Sequence, residues 1–108
     1  MRDEIPPGTL YMLILKTLAR GSEMHGFEIA NSIQQISEDV LQVEEGSLYP
    51  ALQRMLLKGW IVGEWGVTAG NRRARYYKLT ASGRKQLQAE LAQYGRVSGA
   101  FQRVLRAV

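Results

Sequence analysis

Two clusters of side chains in this sequence have the types and spacing for recognition chemistry. One is Ser47, Tyr49, Pro50, Gln53 and Arg54; the other is Arg72, Arg73 and Arg75. A glutamine such as Gln53 can pair with adenine, and an arginine such as Arg54 can read guanine or hold a phosphate. Ser47 and backbone N–H groups at a helix start can hold a phosphate as well. Arginines on a loop can reach phosphates or a narrow minor groove. Bond-making chemistry has no comparable set. There is no cysteine and a single histidine, His25, which removes disulfide frameworks, zinc fingers and thiol catalysis. His25 stands before Gly26 at a helix start and reads as a cap or packing residue. Ser82-Gly83-Arg84-Lys85 matches Ser-x-x-Lys by spacing alone, without catalytic partners. Glu44-Glu45 are adjacent and diverge in most backbones, and no Gly-rich phosphate cradle is present. No enzyme activity, metal site or cofactor is expected.

The elements that must position these clusters follow from apolar periodicity. Leu10, Leu13, Ile14 and Leu18 predict a first helix over Thr9–Arg20, with Thr9 as cap and Gly21 as stop. Ile29, Ala30, Ile33 and Ile36 predict a second over His25–Ile36. Ser37–Glu45 reads as a loop or short strand. A third helix is predicted over Ser47–Lys58, capped by Ser47, with Pro50 in its first turn and Gly59 at its end. On its wheel Leu48, Leu52 and Met55 make a core face, flanked by Ala51 and Leu56. Pro50, Gln53, Arg54 and Leu57 fall opposite, with Ser47 at the margin. Tyr49 lies between the faces and either joins the polar one or covers the core edge. Leu57 has no role in this scheme.

Trp60–Trp65 and Arg75–Leu79 predict two strands joined by the turn Gly66–Arg73. In the second strand Arg75 and Tyr77 share a face and Tyr76 takes the other, so one tyrosine packs inward. Three helices and a hairpin is the order of a winged helix-turn-helix. There the last helix before the hairpin enters the major groove, and the hairpin lies along the backbone or minor groove.

A fourth helix is predicted from Thr80 nearly to the end. Leu87, Leu91, Tyr94, Ser98, Phe101, Leu105 and Val108 recur at heptad spacing, broken only by Ser98. Gly95 and Gly99 weaken the helix and leave its continuity open. The seam predicts a homodimer through Leu87, Leu91, Tyr94, Phe101 and Leu105. Across a dimer axis two Tyr94 rings, with small Gly95, Ser98 and Gly99 beside them, would leave a slot for a planar aromatic ligand. The alternative is that Tyr94 only fills its heptad position.

Charge divides along the chain. Residues 1–45 carry three Lys and Arg against eight acids, and residues 46–108 carry eleven against two. Such asymmetry points to an anionic partner, nucleic acid first and a membrane surface second. Charge alone fits a solvated basic face equally well. No apolar run is long enough for a membrane span. The start, acidic and broken by Pro6 and Pro7, is unlike a signal peptide, so a cytoplasmic protein is expected.

Five runs carry a resemblance. They are Leu13-Ile14-Leu15-Lys16-Thr17-Leu18, His25-Gly26-Phe27-Glu28-Ile29-Ala30, Glu44-Glu45-Gly46-Ser47-Leu48-Tyr49-Pro50-Ala51-Leu52, Gly59-Trp60-Ile61, and Asn71-Arg72-Arg73-Ala74-Arg75-Tyr76-Tyr77-Lys78-Leu79-Thr80 with Gly83. Over roughly Gly8 to Leu87 the chain resembles the PadR family of bacterial transcriptional regulators. The resemblance implies a winged-helix domain, a homodimer joined through C-terminal helices, and usually repression. It places Ser47, Tyr49 and Pro50 in the recognition helix and Arg72, Arg73 and Arg75 in the wing. A single C-terminal helix matches the short branch, some of whose members bind flat aromatic ligands between subunits; Tyr94 would be the stacking residue.

The expected fold is mainly α with a small β-hairpin. Residues 1–80 form the winged-helix DNA-binding domain and residues 81–108 a C-terminal dimerisation helix. The expected function is sequence-specific binding of double-stranded DNA by a homodimer on a pseudo-palindrome, with a small aromatic effector as a further candidate partner. The rival is a winged-helix protein-interaction module that never touches DNA.

Overall fold

Ile14, Leu15 and Leu18 lie on one side of α1 (Leu10–Arg20) and are buried together in a computed structural model. The structure describes residues 3–6 and 8–108. Met1, Arg2 and Pro7, which enter the charge and proline reading of the N-terminus, lie outside the described residues. Thr9 stands at the N-cap of α1, but its hydroxyl donates to the Pro6 carbonyl at 2.7 Å and caps nothing. A two-residue strand β1 (Asp3–Glu4) precedes the helix, and β2 (Met24–His25) follows it.

The second helix, α2 (Gly26–Ile36), begins one residue later than expected, because His25 is its cap. The His25 Nδ1 accepts from the Glu28 N–H at 3.4 Å, and the His25 N–H donates to Glu28 Oε1 at 3.1 Å. Two unpaired donors at the helix start are thereby satisfied reciprocally. Ile29 and Ile33 turn inward. The polar stretch after α2 contains β3 (Leu41–Gln42), which pairs in parallel with β1.

Helix α3 (Glu45–Leu57) starts two residues earlier than the sequence suggests. Ser47 is not its cap. Glu44, in extended conformation, holds that place, and its carbonyl accepts from the Ser47 and Leu48 N–H groups at 3.0 and 2.9 Å. Pro50 therefore sits in the second turn, where its missing N–H leaves one helical bond unmade. Leu48, Ala51, Leu52 and Met55 form the buried face. Gly59, at φ +75°, ends the helix, with its N–H on the Leu56 carbonyl and the Trp60 N–H on the Met55 carbonyl. A left-handed residue closing both bonds is the reason glycine stands there.

The hairpin is longer than expected: β4 (Ile61–Val67) and β5 (Arg73–Leu79) pair antiparallel from Ile61↔Leu79 to Val67↔Arg73. Thr68–Arg72 remain as the tip, with Asn71 at φ 61°. Strand β2 pairs with β5 through Met24↔Tyr77 and His25↔Tyr76, giving a three-stranded sheet in the order β2-β5-β4. Two residues are too short a run for alternation to reveal β2.

Helix α4 (Ala81–Arg106) runs unbroken through Gly95 and Gly99. The Thr80 hydroxyl accepts from the Gly83 N–H at 3.0 Å and donates to the Gly59 carbonyl at 2.7 Å, tying the helix start to the end of α3. Gly83 and Leu87 are the α4 residues that are buried; beyond Leu87 none is. Leu87 completes a core made by α1, α2, α3 and the sheet.

Candidate nucleic-acid interface

The alternation of β5 decides where its arginines go. Tyr77 and Leu79 are buried, so Arg73 and Arg75, which precede them at alternate positions, share their side of the sheet. Tyr77 is the inward tyrosine. Tyr76, on the opposite face, packs edge-on against His25 with ring centroids 5.3 Å apart. Burial raises the Tyr77 phenol above its usual range, with Arg75 opposing and Tyr49 reinforcing the shift. A phenol that stays protonated in the folded state contributes stability that is lost as pH rises past its unfolded value of 10.0. Denaturant unfolding followed as pH rises through that value should therefore show a decline that Tyr77→Phe removes.

One edge of α3, the first turn of α2 and the hairpin enclose a groove of about 740 Å³. It gathers Tyr49 and Gln53 with Arg72, Arg73 and Arg75. Tyr49 lies across Gly26: a Cβ there would stand 2.9 Å from the Tyr49 ring. A side chain at position 26 would push the Tyr49 ring aside. Among the described residues none of the three arginines has a carboxylate partner. The groove is thus cationic on the wing side and amide-bearing on the helix side.

Ser47, Pro50 and Arg54 do not join that groove. They line a second one, about 490 Å³, on the other edge of α3 beside the N-terminal segment and β3. Arg54 Nε donates to the Tyr11 hydroxyl at 2.6 Å, and its guanidinium lies 5.7 Å from the Tyr11 ring centroid. The helix wheel puts Gln53 and Arg54 on one exposed face, and the structure divides that face between two edges.

His25, Phe27 and Trp65 also line the first groove, and the sequence did not assign them to it. Trp65 carried a signal, since strand alternation sets it on the same face as Ile61. Using that signal requires the hairpin register. Phe27 carried none beyond its place at a helix start. On α4, Tyr94 is half exposed beside a shallow groove of about 210 Å³ that Met12, Gln93 and Val97 also line. Leu91, Phe101 and Leu105 are exposed, whereas Leu87 is 5% exposed and belongs to the hydrophobic core. No group of metal-ligating side chains occurs among the described residues, and no described helix is long and apolar enough to cross a membrane.

Comparison with known proteins gives the family and the fold. The model of the transcriptional regulator PadR-like family matches residues 14–89. A PadR-like transcriptional regulator of Bacillus cereus is similar in structure, with TM-score 0.77 and 28% identity, covering 94% of this chain and 95% of that one. A PadR family transcription regulator of Clostridium difficile gives TM-score 0.75 and 28% identity, covering 91% and 99%. A curated protein of Lysinibacillus sphaericus is 26% identical over 97 residues, 90% of this chain and 88% of that one. A match to a family of transcriptional regulators, over a winged-helix fold, implies DNA binding. The chain belongs to the PadR-like family of transcriptional regulators.

Proposed function

We propose that the protein is a cytoplasmic homodimer that binds a pseudo-palindromic operator and represses nearby genes. Residues 1–80 read DNA and residues 81–108 join the subunits. The observation that carries this reading is the convergence of Gln53 and Tyr49 on one groove with three arginines that have no carboxylate partner among the described residues. Gln53 supplies base-edge pairing and the wing arginines supply phosphate contacts. On the far edge of α3, Ser47 and Arg54 reach the flanking backbone. Two such units related by a two-fold axis would read half-sites whose centres lie about 34 Å apart.

Selection of bound sequences from random duplex DNA tests this. An inverted repeat with that spacing is expected. A protein-interaction module would give no complex that survives competitor DNA. Within the selected site, Gln53→Ala should relax preference at one base pair by about 1–3 kcal/mol. Arg72→Ala should weaken binding to every sequence and flatten the salt dependence by about 0.9 for each phosphate no longer neutralised.

A small planar aromatic effector acting at Tyr94 is part of the same proposal. The support is a half-exposed ring beside a groove, on a helix without buried residues at that level. Titration of planar aromatic dyes against wild type and Tyr94→Ala, followed by Trp60 and Trp65 fluorescence, tests it. Loss of binding in the variant is expected; equal affinity in both proteins assigns Tyr94 to packing alone.

A further inference from the structure

We infer that β4 is a shelf that holds two of the wing arginines, Arg73 and Arg75, in the groove before DNA arrives, and that Trp65 is the positioning residue for Arg73. The inference rests on reading the wing as a DNA contact. The Arg73 guanidinium lies over the Trp65 ring, 4.5 Å from its centroid. The two residues are diagonal neighbours, since Trp65 pairs with Arg75 and Val67 pairs with Arg73. At this spacing an aromatic ring and a long side chain reach each other across an antiparallel pair.

Trp65 is 61% exposed and takes no part in the hydrophobic core. A large indole left out of the core needs another occupation, and here its face is occupied by a cation. A cation above an aromatic face is held by the ring's quadrupole, and a planar guanidinium stacks on it as well.

Arg75 is held by the same strand in another way. Its side chain crosses β4 at Gly63, where a Cβ would stand 2.6 Å from Arg75 Nε. That Nε is enclosed and has no hydrogen-bond partner among the described residues. The absence of a side chain at Gly63 is what lets Arg75 lie flat. β4 thus presents a gap for one arginine and a ring for the next. Arg72 has neither support and belongs to the tip, where its backbone N–H meets the Thr68 hydroxyl at 3.2 Å.

Holding a charged side chain in place changes affinity without changing how many phosphates it meets. Trp65→Ala should leave the fold intact, because the ring is outside the core. It should weaken binding to a selected duplex about three- to fivefold. The slope of log affinity against log salt should not change. Arg73→Ala should instead lower the slope by about 0.9 for each phosphate no longer neutralised. Trp65→Phe, which restores an aromatic face, should bind within about twofold of wild type. The double variant Trp65→Ala/Arg73→Ala should bind no worse than Arg73→Ala, because the ring acts through the arginine.

The positioning is also readable without DNA. The Arg73 Nε–H heteronuclear NOE should be close to backbone values in the free wild type and collapse in Trp65→Ala. Equal Arg73 mobility in the two free proteins would overturn the inference. So would additive losses in the double variant, or wild-type affinity for Trp65→Ala. If the wild type binds no DNA, the function proposed above fails, and the free-protein NOE still decides whether Trp65 holds Arg73.

Discussion

Replacing Leu91 and Phe101 together by aspartate is expected to give a folded monomer with most of its affinity for DNA gone. Both side chains lie beyond the last buried residue of α4, and Phe101 is 64% exposed in the isolated subunit. Their removal therefore takes nothing from the subunit's own core. Tyr94, Val97, Val104 and Leu105 are exposed on the same helix. So much apolar surface along one helix is more than a monomer ordinarily leaves to water. Two carboxylates placed in that surface would have to be desolvated on dimerisation, which costs several kcal/mol. In the proposed dimer, subunits that separate would each bind one half-site alone. The second contact is then no longer intramolecular, and affinity should fall by about two to four orders of magnitude. Sedimentation equilibrium gives the mass, and circular dichroism the fold. A dimer that persists in the variant would assign the interface elsewhere.

Gly83→Ala is expected to destabilise the whole domain by about 3 kcal/mol. In the first turn of α4 a Cβ at Gly83 would stand 2.0 Å from the Trp60 carbonyl oxygen and 2.8 Å from Leu79 Cδ1. The nearest obstacle is backbone, fixed by its bond from the Thr80 N–H at 3.1 Å. A flexible side chain could swing away; this carbonyl cannot without pulling α4 from the start of β4. The substitution also favours the helix intrinsically, by up to about 1 kcal/mol. The clash opposes that preference and should outweigh it. Chemical denaturation reads the outcome, and a midpoint equal to or above wild type would contradict the tight crossing.

The helices and the hairpin were legible because their signals are local. Apolar spacing placed α1, α2, α3 and α4 to within two residues, and Gly59 marked the end of α3. The misplaced start of α3 has a physical cause. Ser47 has the chemistry of a cap, but capping is decided by backbone conformation, and Glu44 is the residue left extended. β2 escaped because two residues joined to a sheet through long-range bonds leave no periodic trace. The candidate site was legible as two clusters, and their meeting in one groove was not. The wheel treats an exposed face as uniform, so it could not tell that Gln53 turns toward the wing while Arg54 turns toward Tyr11. Trp65 and Phe27 are not legible as groove residues, because exposed aromatics are told from core aromatics only by packing. Leu87 fits the heptad and also fits the core, and spacing alone does not separate these uses.

The central claim is that DNA is gripped by the wing arginines across the groove from α3. The most direct measurement is the salt dependence of binding to one selected duplex, for wild type and Arg72→Ala/Arg73→Ala. Removing two phosphate-binding arginines from each of two subunits should flatten the log–log slope by roughly 3–4. The Gln53 base preference should survive in the variant. A slope unchanged within error would place the phosphate contacts outside the wing and contradict the account.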